Sequence, residues 1–208
     1  MLKINNLRVS FDERIVFEDI NIELKSGDLL IVNGENGSGK TTFLKAIAGL
    51  IEIDKTQSKI LCVDHDIAEN FDDYIHDYSY LASENLLYDD FTIKYYLNFW
   101  ARSSENYEIV ESAIHYFQLK DILNYKICQL SSGWKKRIAL AKIMIDNKVL
   151  WFLDEPFNFL DIKGIDLLEN MINSRLLSGG VVILTSNKKI ENFKNAKFLN
   201  IDDFGKKF

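Results

Sequence analysis

Eight residues, Gly34-Glu35-Asn36-Gly37-Ser38-Gly39-Lys40-Thr41, restrict this chain more than any other stretch in it. They fit the pattern G-x-x-x-x-G-K-S/T of a phosphate-binding loop, which carries weight only between a strand and a helix. Before it runs Asp28-Leu29-Leu30-Ile31-Val32-Asn33, an apolar run that predicts a buried strand. After it, Thr42-Phe43-Leu44-Lys45-Ala46-Ile47-Ala48-Gly49 puts apolar residues on one helix face. All three pieces together argue against a chance glycine-rich turn. The glycines let successive backbone N–H groups converge on phosphate oxygens. The helix N-terminus adds partial positive charge. Lys40 is placed to reach the β- and γ-phosphates of a nucleotide and the Thr41 hydroxyl to bind Mg²⁺, with Thr42 at the same loop–helix junction.

A chain of 208 residues allows one large domain, or one domain with an inserted subdomain. A net charge of −6 argues against wholesale nucleic-acid binding, so no nucleic-acid partner is expected. Cys62 and Cys128 are isolated, lack metal-ligand spacing and read as packing residues of a reducing compartment. No apolar run is long enough to span a membrane, and Met1–Asn6 has no apolar signal core. The chain is expected to be soluble, with any membrane role supplied through a partner.

Leu2–Val9 and Ile15–Leu24 read as strands, and the second half of Ile15–Leu24 alternates apolar and polar as a half-exposed antiparallel strand does. Phe11, in the turn between them, either stacks on a nucleotide base or closes a core edge. Lys59–Val63 and Tyr78–Ala82 read as further strands, and the acidic segment Asp64–Asp77 as irregular and solvated. From Thr92, a plausible N-cap, the period turns helical: Ile93, Tyr96, Leu97 and Trp100 make one stripe, and Tyr107, Val110, Ile114 and Phe117 a second. Residues of about 85–130 therefore form a helical block inserted in an α/β chain, its aromatics read chiefly as internal core.

After Gln129-Leu130-Ser131-Ser132-Gly133-Trp134 comes a helix with Trp134, Ile138, Ala141 and Ile145 on one face, capped by Ser131 or Ser132. Its first turn carries Lys135, Lys136 and Arg137, against the helix dipole. Either a docked anion relieves that conflict or the cations form a solvated face. Val149-Leu150-Trp151-Phe152-Leu153 is continuously apolar, as a central parallel strand requires, and ends in Asp154-Glu155-Pro156. Within reach of a phosphate loop, Asp154 supplies a second Mg²⁺ contact. Extended backbone would turn Glu155 away from it, free to orient and polarise a water. A helix with Ile165, Leu168, Ile172 and Leu176 inside, a buried strand Val181–Thr185 ending at Ser186-Asn187, and a closing strand Lys197–Ile201 finish the chain.

The order of these pieces resembles the ATP-binding subunits of ABC transporters over essentially the whole chain. The resemblance rests on the phosphate loop, the signature-like Leu130-Ser131-Ser132-Gly133-Trp134, the strand Val149–Asp154 with Glu155, and Leu160-Asp161 at D-loop spacing. It implies an α/β phosphate-loop NTPase with a mixed sheet, an antiparallel β subdomain and an inserted helical subdomain, in one domain covering 1–208. It implies an ATPase using ATP and Mg²⁺, working as a head-to-tail dimer with a second such subunit, most simply a homodimer. Each ATP would lie between the phosphate loop (Gly34–Thr41, Thr42) of one copy and Ser131 and Gly133 of the other. Lys135, Lys136 and Arg137 would then lie close to that triphosphate, and Phe11 would stack on adenine. The helical block would contact an integral membrane permease, which places the chain peripherally on the cytoplasmic face of the inner membrane.

Short length, the run Leu150–Pro156, the Gly179–Thr185 ending and the Leu50 segment look most like the ATPase subunit of the cytochrome c biogenesis, or haem exporter, system. The alternatives are another small ABC exporter subunit or a non-transport ABC ATPase. Three positions depart from the family pattern. Ser132 and Trp134 alter the signature. Glu84, a candidate metal ligand, stands where the Q-loop Gln is usual. Asn187 stands at the switch His; it can donate a hydrogen bond to the γ-phosphate but cannot become cationic. Slower hydrolysis is expected from that change.

Overall fold

The computed structural model describes every residue except Glu13, Asp64, Glu105, Asn106, Lys189, Glu191 and residues 206–208. Glu13 of the first turn and Asp64 of the acidic segment thus lie outside the described residues. The strands are β1 (Leu2–Phe11), β2 (Arg14–Leu24), β3 (Leu29–Asn33), β4 (Lys59–Cys62), β5 (His65–Asp66), β6 (Tyr78–Leu81), β7 (Leu150–Leu153), β8 (Val181–Ser186) and β9 (Lys197–Asn200). The α-helices are α1 (Lys40–Ile47), α2 (Phe71–Tyr74), α3 (Ile93–Ser104), α4 (Glu108–Tyr116), α5 (Ser132–Asp146) and α6 (Ile162–Leu177).

The mixed sheet expected from sequence resolves into two. One is antiparallel, in the order β2-β1-β4-β5, and the other parallel, in the order β6-β7-β8-β3-β9. Every residue of β7 and β8 is buried, which their unbroken apolar runs anticipate. Alternate side chains serve opposite faces. Leu29, Ile31, Trp151, Leu153, Val182 and Leu184 pack with residues of α3, α4, α5 and α6. Leu30, Val32, Leu150, Phe152, Val181 and Ile183 pack with α1 and the antiparallel sheet.

Strand order positions the chemistry. With β7, β8 and β3 side by side and parallel, their carboxyl ends lie at one edge, where ligands of open α/β sheets bind. The register pairs Leu153 with Leu184 and Val32 with Thr185, so the phosphate loop, Asp154 and Ser186-Asn187 emerge together.

Residues 93–129 hold α3, α4 and two short 3₁₀ turns. Thr92 caps α3 as expected, its hydroxyl accepting from Tyr95 N–H at 3.2 Å. Ile93, Tyr96, Leu97, Val110, Ile114 and Phe117 are buried. Tyr107 is not: it precedes the first turn of α4 and faces solvent. The segment expected to be irregular also carries order, β5 and α2, because Tyr74 is buried and its hydroxyl donates to the Ile47 carbonyl at 2.7 Å. Among the described residues no helix is long and apolar enough to cross a membrane.

Candidate nucleotide site

The loop between β3 and α1 turns on glycines. Gly37 and Gly39 have φ of +83° and +102°, and a Cβ on Gly39 would lie 2.9 Å from a Val16 methyl. Lys40 follows as the first residue of α1 and is almost fully buried. Its ammonium donates to the carbonyls of Gly34 and Glu35, each at 2.9 Å, and lies 3.8 Å from Glu155 Oε1.

Next to it runs a chain of polar contacts. Thr41 Oγ1 donates to Asp154 Oδ2 at 2.8 Å. Thr185 Oγ1 donates to Asp154 Oδ1 at 2.6 Å and accepts from the Glu155 N–H at 2.9 Å. Asp154 is 1 % exposed, so both carboxylate oxygens depend on these hydroxyls. Extended backbone through Asp154 and Glu155, as the sequence predicts, is not what separates them. Instead β7 ends at Leu153 and Glu155 takes a left-handed φ of +45°, its amide captured by Thr185. The two carboxylates separate all the same, one toward the hydroxyls and the other toward Lys40.

Lys40, Thr41 and Glu155 border a cavity of about 810 Å³ that is also lined by Phe11, Ile15 and Val16, by the rest of residues 35–42, and by Ser83 and Asp202. Phe11, at the end of β1 and half exposed, lines the same cavity as the loop. Asn187 reaches the loop too, its Nδ2 lying 3.4 Å from Asn36 Oδ1. The structure does not bring the remaining candidates there. Ser131 caps α5, its Oγ 3.5 Å from the Trp134 nitrogen. Gly133 lies against the Phe159 carbonyl, where a Cβ would come within 2.9 Å. Glu84 lines a neighbouring cavity of about 500 Å³ with Ser132, Lys135 and Phe159.

In the basic first turn of α5 each cation has an acceptor within the chain. Lys135 pairs with Asp89 at 2.8 Å and Arg137 with Asp161 at 2.7 Å. Lys136 is fully buried and donates to the Ser83 carbonyl at 3.3 Å. Acceptors within the chain thus offset the conflict with the helix dipole. Burial pushes the Lys136 ammonium down to about 8, against the pull of the Asp154 and Glu155 carboxylates.

Two residues were missed from sequence. Thr185 reads as the tail of an apolar strand, and only the pairing of β7 with β8 sets it beside Asp154. Asp202 accepts from the Glu35 N–H at 3.0 Å, a contact that needs β9 to lie beside β3.

The glycine loop, the helix behind it and the strand-end Asp beside Thr41 define a nucleoside-triphosphate-binding protein of the phosphate-loop class. The ABC transporter family model matches residues 17–158, and the chain belongs to that family, with the ATP binding that membership implies. It is 30 % identical to the cytochrome c biogenesis ATP-binding export protein CcmA of Wolbachia pipientis, over 99 % of each chain. It is 34 % identical to the protein of that name in Reclinomonas americana, over 99 % of this chain and 92 % of that one. Among solved structures, an ATP-binding subunit of an ABC transporter superposes with a TM-score of 0.86 at 22 % identity, covering 97 % of this chain and 87 % of that one. An ABC transporter ATP-binding protein from Pyrococcus furiosus gives 0.84 at 24 % identity, over 99 % of both.

Proposed function

We propose that this chain is the ATP-hydrolysing subunit of an ABC export complex serving cytochrome c biogenesis. The observation that carries the chemistry is the chain of contacts Thr41–Asp154–Thr185–Glu155 beside Lys40. The cytochrome c assignment is supported by near full-length similarity to export proteins of that name.

In this reading the loop amides of 34–42 and Lys40 hold the triphosphate. Phe11 stacks on the base. Thr41 and Asp154 offer adjacent hard oxygen donors that suit Mg²⁺, with Glu84 a further candidate from the neighbouring cavity. Bound there, Mg²⁺ supplies charge neutralisation on the phosphate oxygens. Glu155 orients the attacking water and accepts its proton. Lys40 counters charge as phosphate leaves, and Asn187 donates to the γ-phosphate from beside Asn36.

Ser131 and Gly133 stand outside the cavity, which supports a dimer in which they serve a partner's ATP. Residues of about 85–130 form the subdomain that meets the permease, and the exposed Leu86, Tyr88, Tyr95 and Phe99 there support it. The chain then sits peripherally on the cytoplasmic face of the inner membrane. Affinity purification of the tagged chain from solubilised membranes tests this. A multi-span permease of the cytochrome c system should co-purify in stoichiometric amount. Recovery with ribosomes or iron–sulfur proteins, and no permease, would overturn the reading.

A further inference from the structure

In the first two turns of α5, Lys136 has a placement that the proposed chemistry leaves unexplained. It is fully buried, and its single hydrogen bond among the described residues is to the Ser83 carbonyl at 3.3 Å. It forms no ion pair among the described residues, although Asp154 and Glu155 lie within electrostatic range. Burying an ammonium against one carbonyl costs stability, which an apolar side chain of similar length avoids. Its position is also particular. α5 begins at Ser132, next to Ser131 and Gly133, and Ser83 lines the nucleotide cavity while its neighbour Glu84 lines the next one.

We propose that Lys136 is a positioning residue that ties the start of α5 to the Ser83–Glu84 loop, setting where that loop stands relative to Asp154 and Glu155. The tie joins the two halves of the proposed mechanism. The end of α5 that would serve a partner's nucleotide is anchored to the loop that borders the chain's own. The inference rests on the ATPase reading for its effect on rate, but not for its effect on the loop.

The test uses the complex purified from membranes, wild type beside Lys136→Met. Hydrogen–deuterium exchange over residues 82–87 should rise several-fold in the variant. Its kcat for phosphate release should fall at least tenfold, with KM for ATP within twofold and Tm equal or higher. A merely structural lysine would lower Tm and leave the kcat of the folded fraction unchanged. Unaltered exchange at 82–87, or wild-type kcat, would overturn the tie. If the Met variant does not fold, Lys136→Gln, about one bond too short to reach the carbonyl, carries the same expectations for exchange and kcat. Failure of both to fold would contradict the claim that the buried cation costs stability. If wild type releases no phosphate, the ATPase reading fails, and exchange at 82–87 still decides the tie.

Discussion

Thr185 shows how much one hydroxyl organises. It donates to Asp154 and accepts from the Glu155 amide, so it fixes both carboxylates at once. Thr185→Val keeps the shape and removes the hydroxyl, leaving a buried carboxylate oxygen and an amide without that partner. A destabilisation of about 1–3 kcal/mol is expected, together with a fall in kcat of roughly tenfold or more. Urea denaturation and phosphate release check the pair, and unchanged values for both would remove Thr185 from the site. Asn187 sits beside Asn36 and offers an amide where a cationic group would stabilise more developing charge. Asn187→His should therefore raise the rate of hydrolysis, and a large drop in a steady-state assay would count against the role assigned to it. Residue identities at the loop, Asp154 and Glu155 were legible because motif and strand context coincide. Thr185 and Asp202 were not, because each acts across a strand pairing that no local pattern reveals.

Among the elements, β7 carries the most information for its length. Its residues are all buried, Leu150 and Phe152 toward one face and Trp151 and Leu153 toward the other. Leu153→Ala, next to the reacting acids, should cost about 2–5 kcal/mol. The midpoint in urea should fall with an unchanged m-value, and a shift below about 1 kcal/mol would show that the site tolerates collapse. The period of the sequence announced β7, β8, α1, α5 and α6, since burial on fixed faces leaves a pattern. It did not announce α2 or the exposure of Tyr107. The first depends on a tertiary anchor, Tyr74 on the Ile47 carbonyl, and the second on where α4 begins. The acceptors of the basic turn of α5 were not legible for a related reason. Its charges oppose the helix dipole locally, yet their acceptors, Asp89, Ser83 and Asp161, come from distant segments.

At the scale of the whole molecule, the antiparallel sheet and the helical block give the two cysteines different surroundings: Cys62 ends β4 and Cys128 lies in the 3₁₀ turn Ile127–Gln129. Cys62 is buried at the end of β4, where burial pushes its thiol up to about 11, whereas Cys128 is exposed. Near pH 8 one thiol should label rapidly and Cys62 only as the protein unfolds, so its labelling rate reports opening of that sheet. Equal rapid labelling of both would contradict the packing of the antiparallel sheet. The same assembly of sheets places the loop, the Asp154–Thr185 pair and Glu155 at one edge, and Ser131 and Gly133 outside the cavity that the loop lines. The most direct test of the central claim is phosphate release by the purified membrane complex, wild type beside Glu155→Gln, at saturating ATP with Mg²⁺. The account predicts turnover by wild type and a loss of about a hundredfold or more in the variant, with ATP still bound. Equal rates in the two proteins would contradict it.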